Sequence, residues 1–223
     1  MIGSSDNPTS AADLARRRVV YADPHRLRDD CGGGIEAQVF EDYPARFTGL
    51  FHLSAGARLP PDPARRGTEI LVFDGQVEFD GVLLSRHGYA RRPTRPDPVV
   101  IATTESILFV KRGHIPPEDN FETVLEPHPE LWKGRQAGEL QTLALHHHGG
   151  IAVSLMRYQP GTAAVIRRRI GGEEILILEG TLLDERSAYP RGSWIRNPPG
   201  SLHEPFSVEG CLIYLQTGHL PII

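Results

Sequence analysis

A single spacing of 105 residues recurs along this 223-residue chain, and it constrains the fold more than any other feature. Gly67 lies 105 positions before Gly172, and two further pairs of segments have the same separation. The three matched pairs are 67–75 with 172–180, 55–56 with 160–161, and 113–116 with 218–221. A solenoid would repeat about every 20–50 residues. The longer separation predicts a duplicated domain, with one copy in each half of the chain.

Each copy has the pattern of short strands joined by tight turns. In the second copy, five runs rich in apolar and β-branched residues alternate with turns that contain glycine or proline. These runs are 139–145, 151–158, 175–178, 193–196 and 211–216, with a hairpin loop at 146–150 and a breaker at 197–200. The 23 glycines and 19 prolines of the chain fit this pattern. The predicted fold class is all-β, with a sandwich or barrel in each copy.

The repeat also sets the expected domain organisation. We expect a short N-terminal extension over 1–18, a first barrel over 19–120 and a second barrel over 121–223. The extension contains the one plausible helix, over 10–18. Because a duplicated barrel can supply the pairing surface that a single barrel finds by dimerising, both a monomer and a homodimer are compatible with the sequence.

Charge and composition argue against several classes of function. The net charge is −4 and basic residues form no concentrated face, so we expect no direct nucleic-acid binding and solvated side chains at Arg16, Arg17 and Arg18. No apolar run approaches the ~18 residues of a membrane span, and the N-terminus lacks the apolar core of a signal peptide. Cys31 and Cys211 form no CxxC pair. These features predict a cytoplasmic protein with no membrane partner.

Two motifs in the second copy carry the information about function. The first consists of Gly161, Arg167, Arg169, Glu173 and Gly180, and the second of Gly192, Pro198, Gly200, His203 and Ser207. Both resemble the two cupin motifs in every spacing, except that cupins have histidine at both arginine positions. Segments 171–176, 184–185 and 197–205 are also similar to the cupin domain of the ChrR anti-sigma factors.

The resemblance to the ChrR cupin domain covers nearly all of the second copy and, more weakly, the first. It implies a small antiparallel β-barrel of jelly-roll type, and therefore two tandem cupin domains, a bicupin. It also implies a metal site on the inner face, where three histidines and one glutamate bind a divalent metal, commonly zinc, and a role in sensing oxidative stress. Side chains alternate across a strand, so positions 167 and 169 face the same way and can meet 173 and 203 inside the barrel.

This sequence departs from the metal-binding pattern at two of the four positions. Arg167 and Arg169 carry guanidinium groups, which stay protonated and have no lone pair for a metal ion. Glu173 and His203 are the two remaining donors, too few for a tight site. We therefore expect no metal cofactor; the alternative is Zn, Fe, Mn or Ni held by Glu173 and His203 with other donors that the sequence does not identify.

Three interpretations of the arginines remain open. In the first, an internal Arg–Glu–His network replaces the metal, because Glu173 would otherwise be a buried carboxylate without a compensating charge. In the second, Arg167 and Arg169 extend to the mouth of the barrel and bind nothing in particular. In the third, two arginines and one carboxylate hold a small anionic ligand. The candidate ligand-binding pocket of the second barrel, a degenerate metal site, therefore consists of Arg167, Arg169, Glu173 and His203.

The first copy is more degenerate. At the 105-residue offset, the ligand positions fall on Asp62, Ala64 and Thr68, and the region matching His203 is 96–98. Glu69 matches Glu174, or the family glutamate if the preceding loop is shifted by one residue. Neither alignment restores a metal site, so the first barrel is expected to be structural or to bind a partner.

Several other residues were candidates with a structural alternative. The expected roles are a solvated surface cluster in a hairpin loop for His146, His147 and His148; an outward salt bridge for Glu174; barrel packing, or lining a pocket, for Tyr189 and Trp194; a structural role for His114 and His219; and a core position for Cys211. None of these forms a recognisable catalytic constellation.

The function predicted is therefore a non-enzymatic bicupin similar to the ChrR sensor domain. It would bind a ligand or a protein partner, such as a sigma factor or another regulatory protein, in stress-responsive transcription regulation. The alternative is a metal-dependent cupin enzyme of the small-dioxygenase kind. A third possibility is a direct anti-sigma factor that uses the barrel surface alone, since the zinc-binding His-x3-Cys-x2-Cys module of the ChrR proteins is not found in the sequence.

Overall fold

The computed structural model describes residues 11–21, 29–134, 140–164, 168 and 170–221. The chain divides into two compact units: the described residues from 29 to 127 belong to the first, and those from 128 to 221 belong to the second together with 11–21. Within the described part of the chain, no helix has the length and apolar character that crossing a bilayer requires.

The N-terminal segment belongs to the second unit rather than preceding the first as an extension. It consists of a short helix, α1 (Ala11–Leu14), and a strand, β1 (Arg18–Val20), which pairs antiparallel with the strand Trp194–Asn197. The helix expected over 10–18 is thus shorter, and its last residue begins a strand. The β-branched pair Val19–Val20 favours an extended backbone, and pairing with an available sheet edge satisfies the hydrogen bonds of that backbone. We call residues 11–21 the strap.

The described residues of the first unit form ten strands in two sheets. They are β2 (Asp29–Gly32), β3 (Ile35–Tyr43), β4 (Arg46–Leu53), β5 (Thr68–Asp74), β6 (Val77–Phe79), β7 (Val82–Leu84), β8 (Tyr89–Arg92), β9 (Val100–Ala102), β10 (Ser106–Arg112) and β11 (Thr123–Leu125). The larger sheet has the order β11-β8-β5-β10-β4-β3-β2 and the smaller β7-β6-β9. Buried residues from both sheets, such as Val72 and Phe79, form one apolar core.

The second unit repeats this architecture. Its strands are β12 (Gln141–His148), β13 (Ile151–Tyr158), β14 (Thr162–Ala163), β15 (Glu173–Leu183), β16 (Ala188–Pro190), β17 (Trp194–Asn197), β18 (Phe206–Ser207) and β19 (Cys211–Thr217), after a 3-10 turn at Pro129–Leu131. The main sheet has the order β1-β17-β15-β19-β13-β12. Strand β15 also pairs with β16 and β18, so it curves from one sheet into the other. Its apolar residues pack with Tyr189 and Cys211 in the core.

The predicted repeat is visible strand by strand. Strands β4, β8 and β10 begin and end 105 positions before β13, β17 and β19, respectively. A β-bulge interrupts β3 between Val39 and Glu41 and recurs in β12 between Ala144 and His146, again 105 positions later. Each unit is an antiparallel double sheet of jelly-roll type, and the all-β fold predicted from the sequence is confirmed.

One loop prediction in the second copy was wrong. His146, His147 and His148 lie in strand β12 rather than in a hairpin loop, and the turn is formed by Gly149 and Gly150 alone. These glycines have φ values of 55° and 87°, which a two-residue hairpin of this twist requires at both central positions. The bulge before His146 keeps the three histidines paired to β13.

Candidate functional site

Two of the four predicted site residues meet inside the second barrel. Glu173 is the first residue of β15 and is 1% exposed, and His203 lies in the loop between β17 and β18. The Nε2 atom of His203 is 2.5 Å from Oε1 of Glu173. Arg167 and Arg169 lie outside the described residues.

An asparagine that was not among the predicted site residues also contacts Glu173. Asn197 ends β17 directly opposite Glu173 in the β15–β17 ladder, and its side chain is 3% exposed. Its Nδ2 donates a hydrogen bond of 2.9 Å to the same Oε1 of Glu173. That carboxylate oxygen is therefore contacted by two nitrogens, one from imidazole and one from an amide.

A second carboxylate lies on the other side of His203. Asp184, in the turn after β15, has Oδ2 at 3.9 Å from Nδ1 of His203, and its side chain is 2% exposed. Its Oδ1 accepts hydrogen bonds from the backbone N–H groups of Arg186 (2.9 Å) and Ser187 (3.0 Å) and from the hydroxyl of Tyr189 (2.8 Å). Three donors on one oxygen fix the position of this carboxylate.

The cation that pairs with Asp184 comes from the strap. Arg17 donates from Nε to Oδ1 of Asn197 at 2.9 Å, and from Nη2 to Oδ2 of Asp184 at 3.2 Å and to the Tyr189 hydroxyl at 2.6 Å. Its guanidinium carbon lies 5.5 Å from the centre of the Tyr189 ring. We call Asp184, Tyr189 and Asn197 the arginine cradle.

Asp184 and Arg17 have opposite effects on the pKa of Tyr189. Burial and the hydrogen bond to Asp184 raise the pKa of Tyr189 to about 12, against the opposing effect of the Arg17 charge. The hydroxyl therefore stays protonated at neutral pH and donates to Asp184 while it accepts from Arg17. Tyr189 was expected to pack in the barrel or to line a pocket. The ring is fully buried, as expected, but its hydroxyl also belongs to the polar network.

The expectation that all three N-terminal arginines are solvated was wrong for Arg17. Arg16 and Arg18 are exposed, whereas the side chain of Arg17 is 21% exposed and fills the cradle. The strap is held from its other side by Arg196, whose Nη2 donates to the backbone carbonyls of Asp13 (2.7 Å) and Arg16 (3.4 Å). Burial, with a smaller effect from the Arg18 charge, lowers the pKa of Arg196 to about 10.

The outward salt bridge expected for Glu174 was also wrong. Glu174 is 0% exposed, and its Oε1 lies 2.9 Å from Nε2 of His219. The first six residues of β15 are all buried, so the strand has no solvated face at this point. His219 thus has the structural partner that its repeated position suggested. Trp194 and Cys211 are buried as expected, and burial raises the pKa of the Cys211 thiol to about 11.

In the first unit, arginine–aspartate pairs occupy the corresponding region. Asp62 accepts a hydrogen bond of 2.6 Å from Arg65, its backbone N–H donates to Asp97 (2.8 Å), and Arg112 lies 3.9 Å away. Burial opposes ionisation of Asp62, but the hydrogen bond and charge of Arg65 outweigh it and lower the pKa of Asp62. Thr68, at the position of Glu173, is buried.

Glu69 faces a different buried pair. Its Oε1 accepts a hydrogen bond of 2.7 Å from the Tyr89 hydroxyl and lies 3.5 Å from Nε of Arg91. Arg91 also binds Asp119 at 2.8 Å, and both of these side chains are 2% exposed. Glu69 therefore belongs to an internal ion-pair cluster rather than to a metal site.

The first unit also has an open cleft of about 720 Å³ away from these residues. Its lining includes four acids, Asp30, Glu36, Asp74 and Glu105, together with His52. None of the predicted site residues lines it, and its acidic lining disfavours a small anionic ligand there.

The donor set of the second barrel does not fit the metal site that the ChrR resemblance implies. Glu173 and His203 offer two donor atoms, and among the described residues of this unit no third His, Cys, Asp or Glu brings a ligand atom to both of them. A structural zinc site takes four donors and a catalytic one three. Arginines at 167 and 169 add positive charge and no lone pair.

Several solved structures have the same fold as this chain. The chain resembles a proposed dioxygenase from Nostoc punctiforme (12% identity, TM-score 0.70, covering 92% of this chain and 84% of that one). It also resembles protein Ylba from E. coli (16% identity, TM-score 0.67, 94% of each chain). A third is the 11S globulin from Wrightia tinctoria (8% identity, TM-score 0.70, 99% and 88%). At these identities the likeness shows the fold alone, which is that of a cupin with two barrels.

The family can be stated more narrowly for the second barrel. Residues 122–221 match the family model of the ChrR Cupin-like domain. The C-terminal half of the chain is therefore a ChrR-like cupin domain. No curated protein sequence matches the chain.

Proposed function

We propose that this chain is a non-enzymatic bicupin whose ChrR-like barrel binds a ligand or a protein partner in stress-responsive transcription regulation. The observation that carries the proposal is the surroundings of Glu173. Its Oε1 is contacted by His203 at 2.5 Å and by Asn197 at 2.9 Å, and Asn197 is in turn held by Arg17. Imidazole and amide groups of the protein thus contact the carboxylate oxygen that would bind a metal ion in the family, and the Arg17 guanidinium is linked to it through Asn197.

The competing function is a metal-dependent cupin enzyme. Its support is that the structural neighbours include dioxygenases, but the 11S globulin has the same fold at a TM-score equal to that of the proposed dioxygenase. A fold hosts unrelated functions, so the site has to decide between them. The site described above has two candidate donors in place of four, which favours the non-enzymatic proposal.

Restoring the family histidines is the experiment that tests this proposal. The double variant Arg167→His/Arg169→His has the complete set of three histidines and one glutamate, so we expect it to gain stoichiometric zinc binding in a calorimetric titration. The unaltered protein should show no such binding at the same concentrations. Equally tight zinc binding by both proteins would contradict the proposal.

The partner is proposed to be a regulatory protein such as a sigma factor. The ChrR-like domain supports this class of partner, and a set of purified sigma factors tested for association with the intact chain examines it directly. Association with one of them supports the proposal, and a clean negative across the set removes sigma factors as partners.

A further inference from the structure

The arginine cradle has the features of a binding site in its own right. Its three side chains are almost fully buried, with residue exposures of 9% for Asp184, 0% for Tyr189 and 3% for Asn197. The group that they bind comes from a remote part of the sequence, since Arg17 is at least 167 positions from each of them. The barrel therefore provides the acceptors, and the strap provides the group that is bound.

The cradle is held in place by contacts that do not involve Arg17. Backbone N–H groups of Arg186 and Ser187 fix one oxygen of Asp184, and the Tyr189 hydroxyl donates to the same oxygen. The amide of Asn197 is oriented by its hydrogen bond to Glu173. Because these contacts belong to the barrel, the acceptors should keep their positions when the Arg17 side chain is removed. Such preorganisation lowers the cost of binding a replacement.

The arrangement of acceptors selects a planar cation with several donors. Nε of Arg17 donates a hydrogen bond to Asn197, and Nη2 donates to both Asp184 and Tyr189. The guanidinium carbon lies over the Tyr189 ring, 5.5 Å from its centre. A guanidinium presents its N–H groups in a fixed fork and stacks on aromatic faces. An ammonium ion is a compact point charge and cannot reach the same acceptors in one plane.

We propose that the arginine cradle is a guanidinium-binding site, which the chain's own Arg17 occupies in cis. Its ligand class is an alkylguanidinium, either a small molecule or an arginine side chain of a partner, and such a ligand competes with the strap. The strap is also attached by Tyr21, whose ring stacks on Tyr189 at 5.8 Å and whose hydroxyl donates to Ser187. This inference rests on the proposed function, because it names the ligand class of a barrel that binds rather than catalyses.

Chemical rescue of a full-length Arg17→Ala variant tests the site. Thermal unfolding is followed by tryptophan fluorescence, which reports on the second unit because Trp132 and Trp194 both lie there. Methylguanidinium chloride, at concentrations well below those that denature, should raise the Tm of the variant by roughly 3–6 °C near saturation. Methylammonium chloride at equal concentration should leave the Tm unchanged, as should methylguanidinium added to the unaltered protein, whose cradle is filled.

Two controls keep the test decisive. Adding Asp184→Asn to the Arg17→Ala variant removes the charge of the cradle and should abolish the rescue. If Arg17→Ala does not fold, Arg17→Met keeps the aliphatic stem and leaves the acceptors vacant. Equal stabilisation by methylammonium, or equal stabilisation of the unaltered protein, would overturn the proposal.

The same assay separates the sources of the ligand. Rescue by free L-arginine supports a small molecule, and rescue only by a peptide that contains arginine supports a partner protein. The metal content of each sample distinguishes failure of the proposed function from failure of the guanidinium site. Stoichiometric metal would defeat the proposed function, whereas absence of rescue in metal-free protein would defeat the guanidinium site alone.

Discussion

Replacing Asp184 with alanine should lower the free energy of unfolding of the second unit by about 3 kcal/mol. The side chain is 2% exposed and accepts from Arg17, Tyr189 and the backbone N–H groups of Arg186 and Ser187. Its removal takes one acceptor from a largely buried guanidinium, which keeps Asn197, and removes the acceptor of the buried Tyr189 hydroxyl. The loss of desolvated partners outweighs the small change in apolar area, so the effect should exceed that of a typical single substitution.

The matched variant Asp184→Asn separates charge from hydrogen bonding. It keeps an oxygen for the two backbone N–H groups but loses the charge that faces Arg17, so a smaller loss of about 1–2 kcal/mol is expected. Arg16→Ala, at an exposed position of the strap, should change stability by less than about 0.5 kcal/mol. Denaturant unfolding followed by tryptophan fluorescence measures all three. Equal losses for Asp184→Ala and Arg16→Ala would show that the network contributes nothing to folding.

Replacing Arg91 with alanine should have a comparable or larger effect on the first unit, about 3–5 kcal/mol. Arg91 lies between Glu69 at 3.5 Å and Asp119 at 2.8 Å. Burial disfavours its charge, but Glu69, Tyr89 and Asp119 outweigh this and raise the pKa of Arg91. Without it, two buried carboxylates lose the guanidinium charge that they share.

The loss of stability should be measured by far-UV circular dichroism. Tryptophan fluorescence does not report on the first unit, because that unit contains no tryptophan. The exposed Arg58→Ala serves as the control for removal of an arginine. The double variant Arg91→Leu/Asp119→Leu removes both members of the closer pair. It should recover part of the stability that Arg91→Ala loses, because neither charge of that pair then has to be desolvated. A double variant less stable than the sum of its single changes would contradict this explanation.

The strand framework could be predicted well from the sequence. A duplicated chain repeats its turn glycines and apolar alternation, so the offset found from Gly67 and Gly172 also places strand pairs such as β10 and β19. The resemblance of two separate motifs to those of the cupins likewise implied that Glu173 and His203 share one site, and they do meet. Both kinds of inference use information that is local in the sequence or repeated along it.

The rest of the site depends on contacts that no local pattern contains. Arg17 meets Asn197 across 180 positions, and one of three consecutive arginines cannot be distinguished from its neighbours by composition. Asp184 and Asn197 lie in turn-like segments, where such residues usually serve the backbone. Glu174 was misplaced for a related reason, since alternation along β15 predicts one solvated face and the strand is buried on both.

We propose above all that protein side chains, rather than a metal ion, contact the Glu173 carboxylate. The most direct test of this proposal is the metal content of the intact chain, purified without a histidine tag and measured by mass spectrometry of the elements. We expect the purified chain to contain no stoichiometric zinc, iron, manganese or nickel. One equivalent of any of them that resists dialysis and is lost on Glu173→Gln substitution would contradict it.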